Sequence, residues 1–241
     1  MSTVARKAGS VSWAASFKTA LRLIFFRATQ RELIELGWTQ LLIGLICTWL
    51  VGMGRYWDNP KVGLAQHLGV GSVVYVFILA LFLWLIVWPL GPRHWSYFRV
   101  LVFVTLVSPP AVIYAIPVQM FFTLDTADAI NAWFLAVVAT WRVALLLFFL
   151  RRLGELGWPS IIVAASLPLT LIVSVLAVLN LDRVVFNLMG GLSERSPNDS
   201  AYATLVILSW LSVLLFLPLV MIYVGMIIFR IWKSRKEKSA L

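Results

Sequence analysis

The sequence predicts an all-α integral membrane protein: a polytopic bundle of about six transmembrane helices, with both termini in the cytoplasm and an amphipathic N-terminal helix at the interface. Of the 241 residues, 61% are hydrophobic and only 12% are charged, which is more apolar surface than a soluble domain can bury. The hydrophobic residues form continuous runs of membrane-spanning length, and the basic residues flank those runs mainly on one side.

Six apolar runs are each long enough to cross a bilayer core, which takes about 20 residues of helix. They divide the chain into a basic segment 1–35, a transmembrane bundle 36–231 and a basic tail 232–241. A β-barrel is disfavoured because the runs do not alternate between two faces. The longest outer connection, 182–200, carries apolar residues that predict a short interfacial helix. The predicted spans are 36–54, 70–90, 97–120, 132–150, 159–181 and 203–231.

The charges orient the bundle when successive connections are assigned to alternating sides of the membrane. Most of the 20 Lys and Arg residues then fall on the side of the N terminus, and this bias predicts a cytoplasmic N terminus, a cytoplasmic C terminus and an even number of spans. Because the charges flank apolar runs, the net charge of +10 indicates anionic lipid at the inner face and not nucleic acid. The opposite side receives Arg55, Lys61, Arg183 and Arg195.

The segment 1–31 contains no acid and carries an amphipathic pattern. Lys18 and Arg22 lie off its apolar arc, as in a helix whose cations meet anionic headgroups. An acid-free start is also typical of a mitochondrial transit peptide. The preferred location is the bacterial inner (plasma) membrane, and the mitochondrial inner membrane, which a transit peptide would imply, is the alternative. The arc consists of Trp13, Phe17, Leu21 and Ile24.

Arg142 is the one charged residue deep inside a predicted span. It lies nine residues before Arg151, which places its Cα roughly 13 Å into the membrane at a rise of about 1.5 Å per residue. An arginine near mid-membrane costs about 2.5–3.5 kcal/mol on insertion scales, and this cost predicts a buried partner. Because no acid lies in any apolar run, we expect a partner other than a carboxylate.

The third span offers carbonyl partners at a similar depth. Pro109 and Pro110 have no N–H group, so the carbonyls of Thr105 and Leu106 lose their helical donors. We expect Arg142 to bind them as a polar clamp between helices; the alternative is an anion or lipid-phosphate site beside a broken helix. The candidate intramembrane site comprises Arg142, Thr105, Leu106, Ser108, Pro109, Pro110 and Gln119.

The sequence predicts no catalytic, metal or cofactor site. The one cysteine, Cys47, cannot form an intrachain disulfide, and the two histidines, His67 and His94, fall in connections on opposite sides of the membrane. A proton or cation pathway usually needs Asp, Glu or His inside a span. None is present in the predicted spans, which disfavours an ion-coupled pump.

Two eight-residue segments repeat one pattern. Residues 31–38 read RELIELGW and residues 151–158 read RRLGELGW, with six of eight positions identical. Both precede a span that runs from the inside outward. A parallel duplication is one interpretation. We prefer a shared anchor at the inner interface, made of an arginine, an amphipathic turn and a tryptophan.

The stretch YFRVLVFVTLVSPPAVIYAIPVQMF, residues 97–121, resembles the Ypt-interacting protein (Yip) domain family of polytopic membrane proteins. The likeness covers residues 70–175 and implies about five spans with a cytoplasmic N terminus; eukaryotic members of that family work in membrane traffic with small GTPases. This chain departs from the family in its six predicted spans and its basic C-terminal tail. The residues that carry the likeness are Phe98, Arg99, Pro109 and Pro117.

Three functions are consistent with the sequence. The preferred one is a non-enzymatic membrane protein that organises membrane or partner proteins, with its partners being the bilayer, anionic lipids and other membrane proteins. The second is a transporter or channel for a small anionic or amphipathic solute that uses Arg142 and the broken third span. The third is a lipid-modifying enzyme, for which the sequence offers no catalytic group. A packed interior around Arg142 favours the first, and a water-filled cavity favours the second.

Overall fold

The computed structural model describes residues 13–55, 57, 63–179, 181 and 200–239. It is all-helical, with 83% helix, and these described ranges contain no β-strand. Five helices are long and apolar enough to cross a membrane. The all-α class is thus confirmed, and the length and composition of these helices suggest an integral membrane protein. Most of the predicted outer connection 182–200 lies outside the described residues.

The helices are α1 (Trp13–Ile24), α2 (Gln30–Ile34), α3 (Trp38–Gly54), α4 (Leu64–His67), α5 (Val70–Val87), α6 (Tyr97–Leu106), α7 (Leu124–Arg152), α8 (Trp158–Val178) and α9 (Ser200–Ser239). Short 3₁₀ helices cover Trp88–Leu90, Pro109–Ala115 and Val118–Met120. The first predicted span forms α3, which has 17 residues and rises about 26 Å. It is therefore shorter than each of the five membrane-length segments, in which the 3₁₀ turns that continue α5 and α6 are counted with those helices.

Helix α6 lies at the centre of the bundle. Every residue from Val100 to Leu106 is buried, because α3 and α5 pack on it along its length and α1 touches it as well. The ring of Phe103 stacks on Phe149 of α7 with centroids 4.0 Å apart. Ser96 begins the helix by accepting a hydrogen bond from the Arg99 amide. The run 97–120, predicted as one span, is interrupted after Leu106 and continues as 3₁₀ turns.

Small residues let α3 approach its neighbours closely. Gly44, Thr48 and Gly52 lie four residues apart on one buried face of α3. A Cβ atom at Gly44 would collide with Thr105 of α6, and one at Gly52 would come within 2.6 Å of the Ser72 hydroxyl on α5. This small-residue stripe is the pattern that membrane helices use to bring their backbones together.

A tight hairpin joins α1 to α2. Phe26 has a positive φ of 59°, and the amides of Phe26 and Arg27 bind the carbonyls of Leu23 and Arg22, which is the Schellman pattern of helix termination. Helix α2 then begins with a capping box between Thr29 and Glu32. An ion pair of 2.8 Å between Arg22 and Glu32 closes the hairpin.

The faces of α1 differ in part from the predicted arc. Trp13, Phe17 and Leu21 are exposed, whereas Ile24 is buried. Ile24 turns inward because the end of α1 packs against α7, where the indole N–H of Trp141 donates to the Ile24 carbonyl. The face that contacts the bundle contains Ser16, Ala20, Leu23 and Ile24.

The C-terminal helix α9 packs mainly on α8 and also touches the 3₁₀ turn after α5. The Tyr223 hydroxyl donates to the Ile86 carbonyl, and Arg230 donates to the Pro89 carbonyl. Gly91 lies beside the Arg230 guanidinium and has a φ of 72°, a backbone conformation that favours glycine. Most other described side chains of α9 face outward.

The two repeated segments share several local features at the ends of α2 and α7, although their backbones differ at the glutamate, where φ is −84° at Glu35 and 51° at Glu155. In each, the two leucines are buried, the glycine occupies the extended N-cap position and the tryptophan begins the next helix. The Gln30 side chain also donates to the Glu155 carboxylate, which brings the two segments together. The matched residues are Leu33 and Leu153, Leu36 and Leu156, Gly37 and Gly157, and Trp38 and Trp158.

Gly44→Ala is expected to destabilise the bundle by about 1–3 kcal/mol, the usual cost of forcing extra volume into a packed site. The added methyl group would collide with Thr105. The control is Gly225→Ala in α9, where no atom lies within 4 Å of the position of the new Cβ. Unfolding free energies from SDS titration in mixed micelles should fall for the first variant only, and equal stability of the two variants would contradict the close contact.

Acidification is expected to open the α1–α2 hairpin. Burial raises the pKa of Glu32, but hydrogen bonds from Thr29 and the charges of Arg22 and Lys18 outweigh it, so that the pKa in the folded state is lowered. A carboxylate with a lowered folded-state pKa stabilises fully above its unfolded pKa, about 4.3. That stabilisation is lost as the pH falls through the folded-state value.

Hydrogen exchange of the Arg27 amide, corrected for its intrinsic rate, should therefore lose protection as the pH falls from 7 to below about 4. Glu32→Gln keeps a side chain that can complete the capping box but removes the titration, so its protection should be weaker at neutral pH and independent of pH. Wild-type protection that stays constant over this range would contradict the role of Glu32.

Candidate functional site

The site begins where α6 ends. Pro109 and Pro110 provide no N–H groups, and the chain turns into a 3₁₀ helix in which the Ala111 amide binds the Ser108 carbonyl. In an α-helix the Ala111 amide would have bound the Val107 carbonyl. The change in winding therefore leaves the Val107 carbonyl without its backbone donor in the middle of a predicted span.

Arg142 of α7 supplies that donor. Its Nε donates to the Val107 carbonyl at 3.4 Å, a distance longer than the usual 2.7–3.2 Å. The sequence predicted the carbonyls of Thr105 and Leu106 as acceptors. In the structure the acceptor is the carbonyl of Val107. Thr105 has other donors, because its carbonyl accepts from the Ser108 amide and from the Thr48 hydroxyl.

Aromatic and basic groups lie near the Arg142 guanidinium. They are Tyr114 of the 3₁₀ segment, Tyr75 of α5 and Arg55, which follows the end of α3. Arg55 also lies over the Tyr114 ring, 5.2 Å from its centroid, which is a favourable cation–π distance. Among the described side chains, no carboxylate pairs with Arg142.

A second polar group secures the break from the side of α3. The Thr48 hydroxyl lies 2.8 Å from the Ser108 hydroxyl and 3.3 Å from the Thr105 carbonyl. The Thr105 hydroxyl bonds back to the Val102 carbonyl at 2.8 Å. Thr48, Thr105 and Ser108 are all buried, so this polar joint is closed within the protein.

The sequence patterns did not single out Thr48 as part of the site. The signal that could have found it is its position between Gly44 and Gly52, four residues from each. A hydroxyl within a small-residue stripe faces the neighbouring backbone, where it can bond across the helix interface. Gln119 of the predicted site lies in the 3₁₀ helix Val118–Met120, and its side chain lies outside the described part of the structure.

The arrangement holds a broken helix in place by hydrogen bonds. Thr48 and Arg142 reach it from α3 and α7, and both donate to its backbone carbonyls. The described residues contain no group of three His, Cys, Asp or Glu side chains that could hold a metal ion. The chemistry that the geometry provides is donation of hydrogen bonds and positive charge.

Thr48→Val is expected to destabilise the protein by about 0.6–1.7 kcal/mol, the range of interhelical hydrogen bonds in membranes. Valine keeps the shape but leaves the Ser108 hydroxyl without this partner. The control is Thr170→Val, because the Thr170 hydroxyl bonds only to carbonyls of its own helix, those of Ser166 and Leu167. Comparable losses for both variants in SDS titrations would argue against a joint between helices.

Comparisons with known proteins leave this site without a counterpart: no protein-family model matches the chain, and neither the curated proteins nor the solved structures give a match. The Yip-domain resemblance therefore stays a prediction that rests on the residues of the third span.

Proposed function

We propose that this chain is a non-enzymatic integral membrane protein that organises the membrane or partner proteins around it. The observation that carries the proposal is the bonding of Arg142 within the protein. Its Nε is bound to the Val107 carbonyl, and the hydroxyls beside the break bond to one another and to backbone carbonyls. The polar groups at the break thus serve helix packing.

The proposed topology has six spans with both termini inside. Helix α3, the first span along the chain, is added to the five membrane-length segments although it is shorter than they are. It is included because it is strongly apolar and packs on α5 and α6. About 26 Å of helix can cross a core of about 30 Å when the bilayer thins locally or flanking residues snorkel. The basic residues on the inner side then meet anionic lipid, most simply in a bacterial inner (plasma) membrane.

Two surfaces suit contacts with lipid and with partners. The exposed side chains of Trp13, Phe17 and Leu21 on α1 give an apolar edge that can enter the inner headgroup layer. The most apolar window of α9, within Val206–Lys236, contains no buried residue. A helix with so much free apolar surface fits contact with lipid chains or with another membrane protein.

A transporter or channel for a small anionic or amphipathic solute is the second candidate. Arg142 is only half-buried, and an arginine has five N–H donors, of which Nε uses one. The nearby Arg55, Tyr75 and Tyr114 would add charge and hydroxyl groups to such a site. Water at the break would favour this candidate, and its exclusion would favour the first.

Thiol accessibility separates the two candidates. Replacing Cys47 by Ala removes the one cysteine, and single cysteines can then be placed in that background. Ser108→Cys tests the buried joint, Gly63→Cys an exposed residue of the proposed outer side, and Ser234→Cys the exposed end of α9. Each variant would be treated with a membrane-impermeant thiol reagent in intact and in lysed cells.

The proposal predicts that Ser108→Cys stays unlabelled from both sides, since water does not reach the joint. Gly63→Cys should label in intact cells, and Ser234→Cys only after lysis. Labelling of Ser108→Cys at a rate comparable to Gly63→Cys would overturn the packed interior and leave the transporter in the lead. Labelling of Ser234→Cys in intact cells would overturn the proposed orientation.

A further inference from the structure

A polar depression of about 480 Å³ opens where the two repeated segments meet. It is lined by Gln30, Arg151, Arg152 and Glu155. Gln30 begins α2, the two arginines form the last turn of α7, and Glu155 lies in the turn that leads to α8. The depression lies at the end of α7, nine residues beyond Arg142, and uses none of the residues that hold the broken helix.

The one carboxylate in the depression is already engaged. Arg93 pairs with Glu155 at 2.8 Å, and the amide of Gln30 donates to its other oxygen. Glu155 has a positive φ of 51°, and the Arg93 amide binds the carbonyl of neighbouring Gly154. The turn therefore presents Glu155 to Arg93, and the charges of Arg151 and Arg152 remain unbalanced.

Both remaining arginines keep donors available. Arg151 uses Nη1 to bind the Leu156 carbonyl at 2.9 Å and lies 5.9 Å from the centroid of the Trp158 ring. Arg152 lies 5.7 Å from the centroid of Phe148. Within the described ranges neither has a carboxylate partner, and each guanidinium has five N–H groups in a planar fork.

Aromatic residues place the depression at the depth of lipid headgroups. Trp158 is 59% exposed beside Arg151, and tryptophan concentrates at membrane interfaces. Phe148 and Phe26 pack edge to face, with Arg152 over the Phe148 ring. In this arrangement the two arginines would contact a phosphate at the level of the headgroups, and the aromatic rings would contact the acyl chains.

We propose that this depression binds the phosphate group of an anionic phospholipid, held by Arg151 and Arg152. The inference rests on the proposed orientation, which puts the depression at the inner leaflet. The planar fork of arginine suits bidentate contact with phosphate oxygens. Basic pockets between helices on the cytoplasmic side are typical sites for phosphate-bearing headgroups. The competing role for the two arginines is to neutralise the C-terminal dipole of α7.

Native mass spectrometry of the purified full chain tests the site by counting bound lipids. The probes are phosphatidylglycerol, phosphatidylcholine and inorganic phosphate at matched concentrations. We expect one phosphatidylglycerol to be retained more strongly than phosphatidylcholine. Arg151→Gln with Arg152→Gln should weaken that binding roughly tenfold or more, the effect of losing hydrogen bonds to a charged group.

The matched control is Arg27→Gln with Arg31→Gln, which removes the same charge from exposed positions outside the depression. It should leave the retained lipid in place. Equal weakening by both double variants would overturn the site, because binding would then follow diffuse charge. Displacement of the lipid by inorganic phosphate would support phosphate recognition and identify a soluble phosphate as an alternative ligand.

Glu155→Gln keeps the proposal testable if the arginine variants fail to fold. It removes the opposing charge and releases Arg93, so phosphatidylglycerol binding should become several-fold tighter. Unchanged or weaker binding in a folded protein would overturn the charge argument. Because lipid counting in detergent does not depend on orientation, failure here leaves the proposed topology standing. Thiol labelling that reverses the topology would remove the inner-leaflet assignment alone.

Discussion

Pro109 and Pro110 lack the backbone N–H groups that a helix would donate, at a break beside the buried side chains of Thr48, Thr105 and Ser108. An unsatisfied backbone group in hydrocarbon costs several kcal/mol, so neighbouring elements must supply donors. The Ser108 amide serves the Thr105 carbonyl through a 3₁₀ turn, Thr48 serves it from α3, and Arg142 serves Val107 from α7. The close approach of α3 at Gly44 follows from the same need, because a hydroxyl reaches a backbone only at short range.

This constraint bears on function. Polar residues inside a membrane are commonly assigned to transport, yet here a half-buried arginine and two buried threonines bond to the backbone of a broken helix. With these groups engaged in packing, the surfaces that remain for interaction lie outside the bundle. They are the apolar edge of α1, the outward face of α9 and the basic side that the proposed topology puts inside. This division of roles supports an organising protein with a lipid-facing exterior.

The repeated segments show how similar local sequence acquires different surroundings. Both give a buried leucine pair, a glycine N-cap and a helix that begins at tryptophan, because these features depend on residues within one or two turns. The glutamates of the two segments have different partners. Glu35 pairs with Arg31 in its own turn, whereas Glu155 pairs with Arg93 and Gln30 from other elements. Only the second segment therefore lines a depression with unbalanced positive charge.

The sequence by itself determined the helical class, the apolar runs and the presence of a break at Pro109. These depend on hydropathy, helix periodicity and missing N–H groups, all of which act within a few residues. Only the tertiary structure decided that Val107 is the acceptor of Arg142, that Thr48 faces the break and that Ile24 turns inward. The tertiary structure also decided where α3 ends and that a depression forms at Arg151. The winding of a broken helix and the partner of a side chain are set by neighbours distant in the chain, whose positions no local pattern specifies.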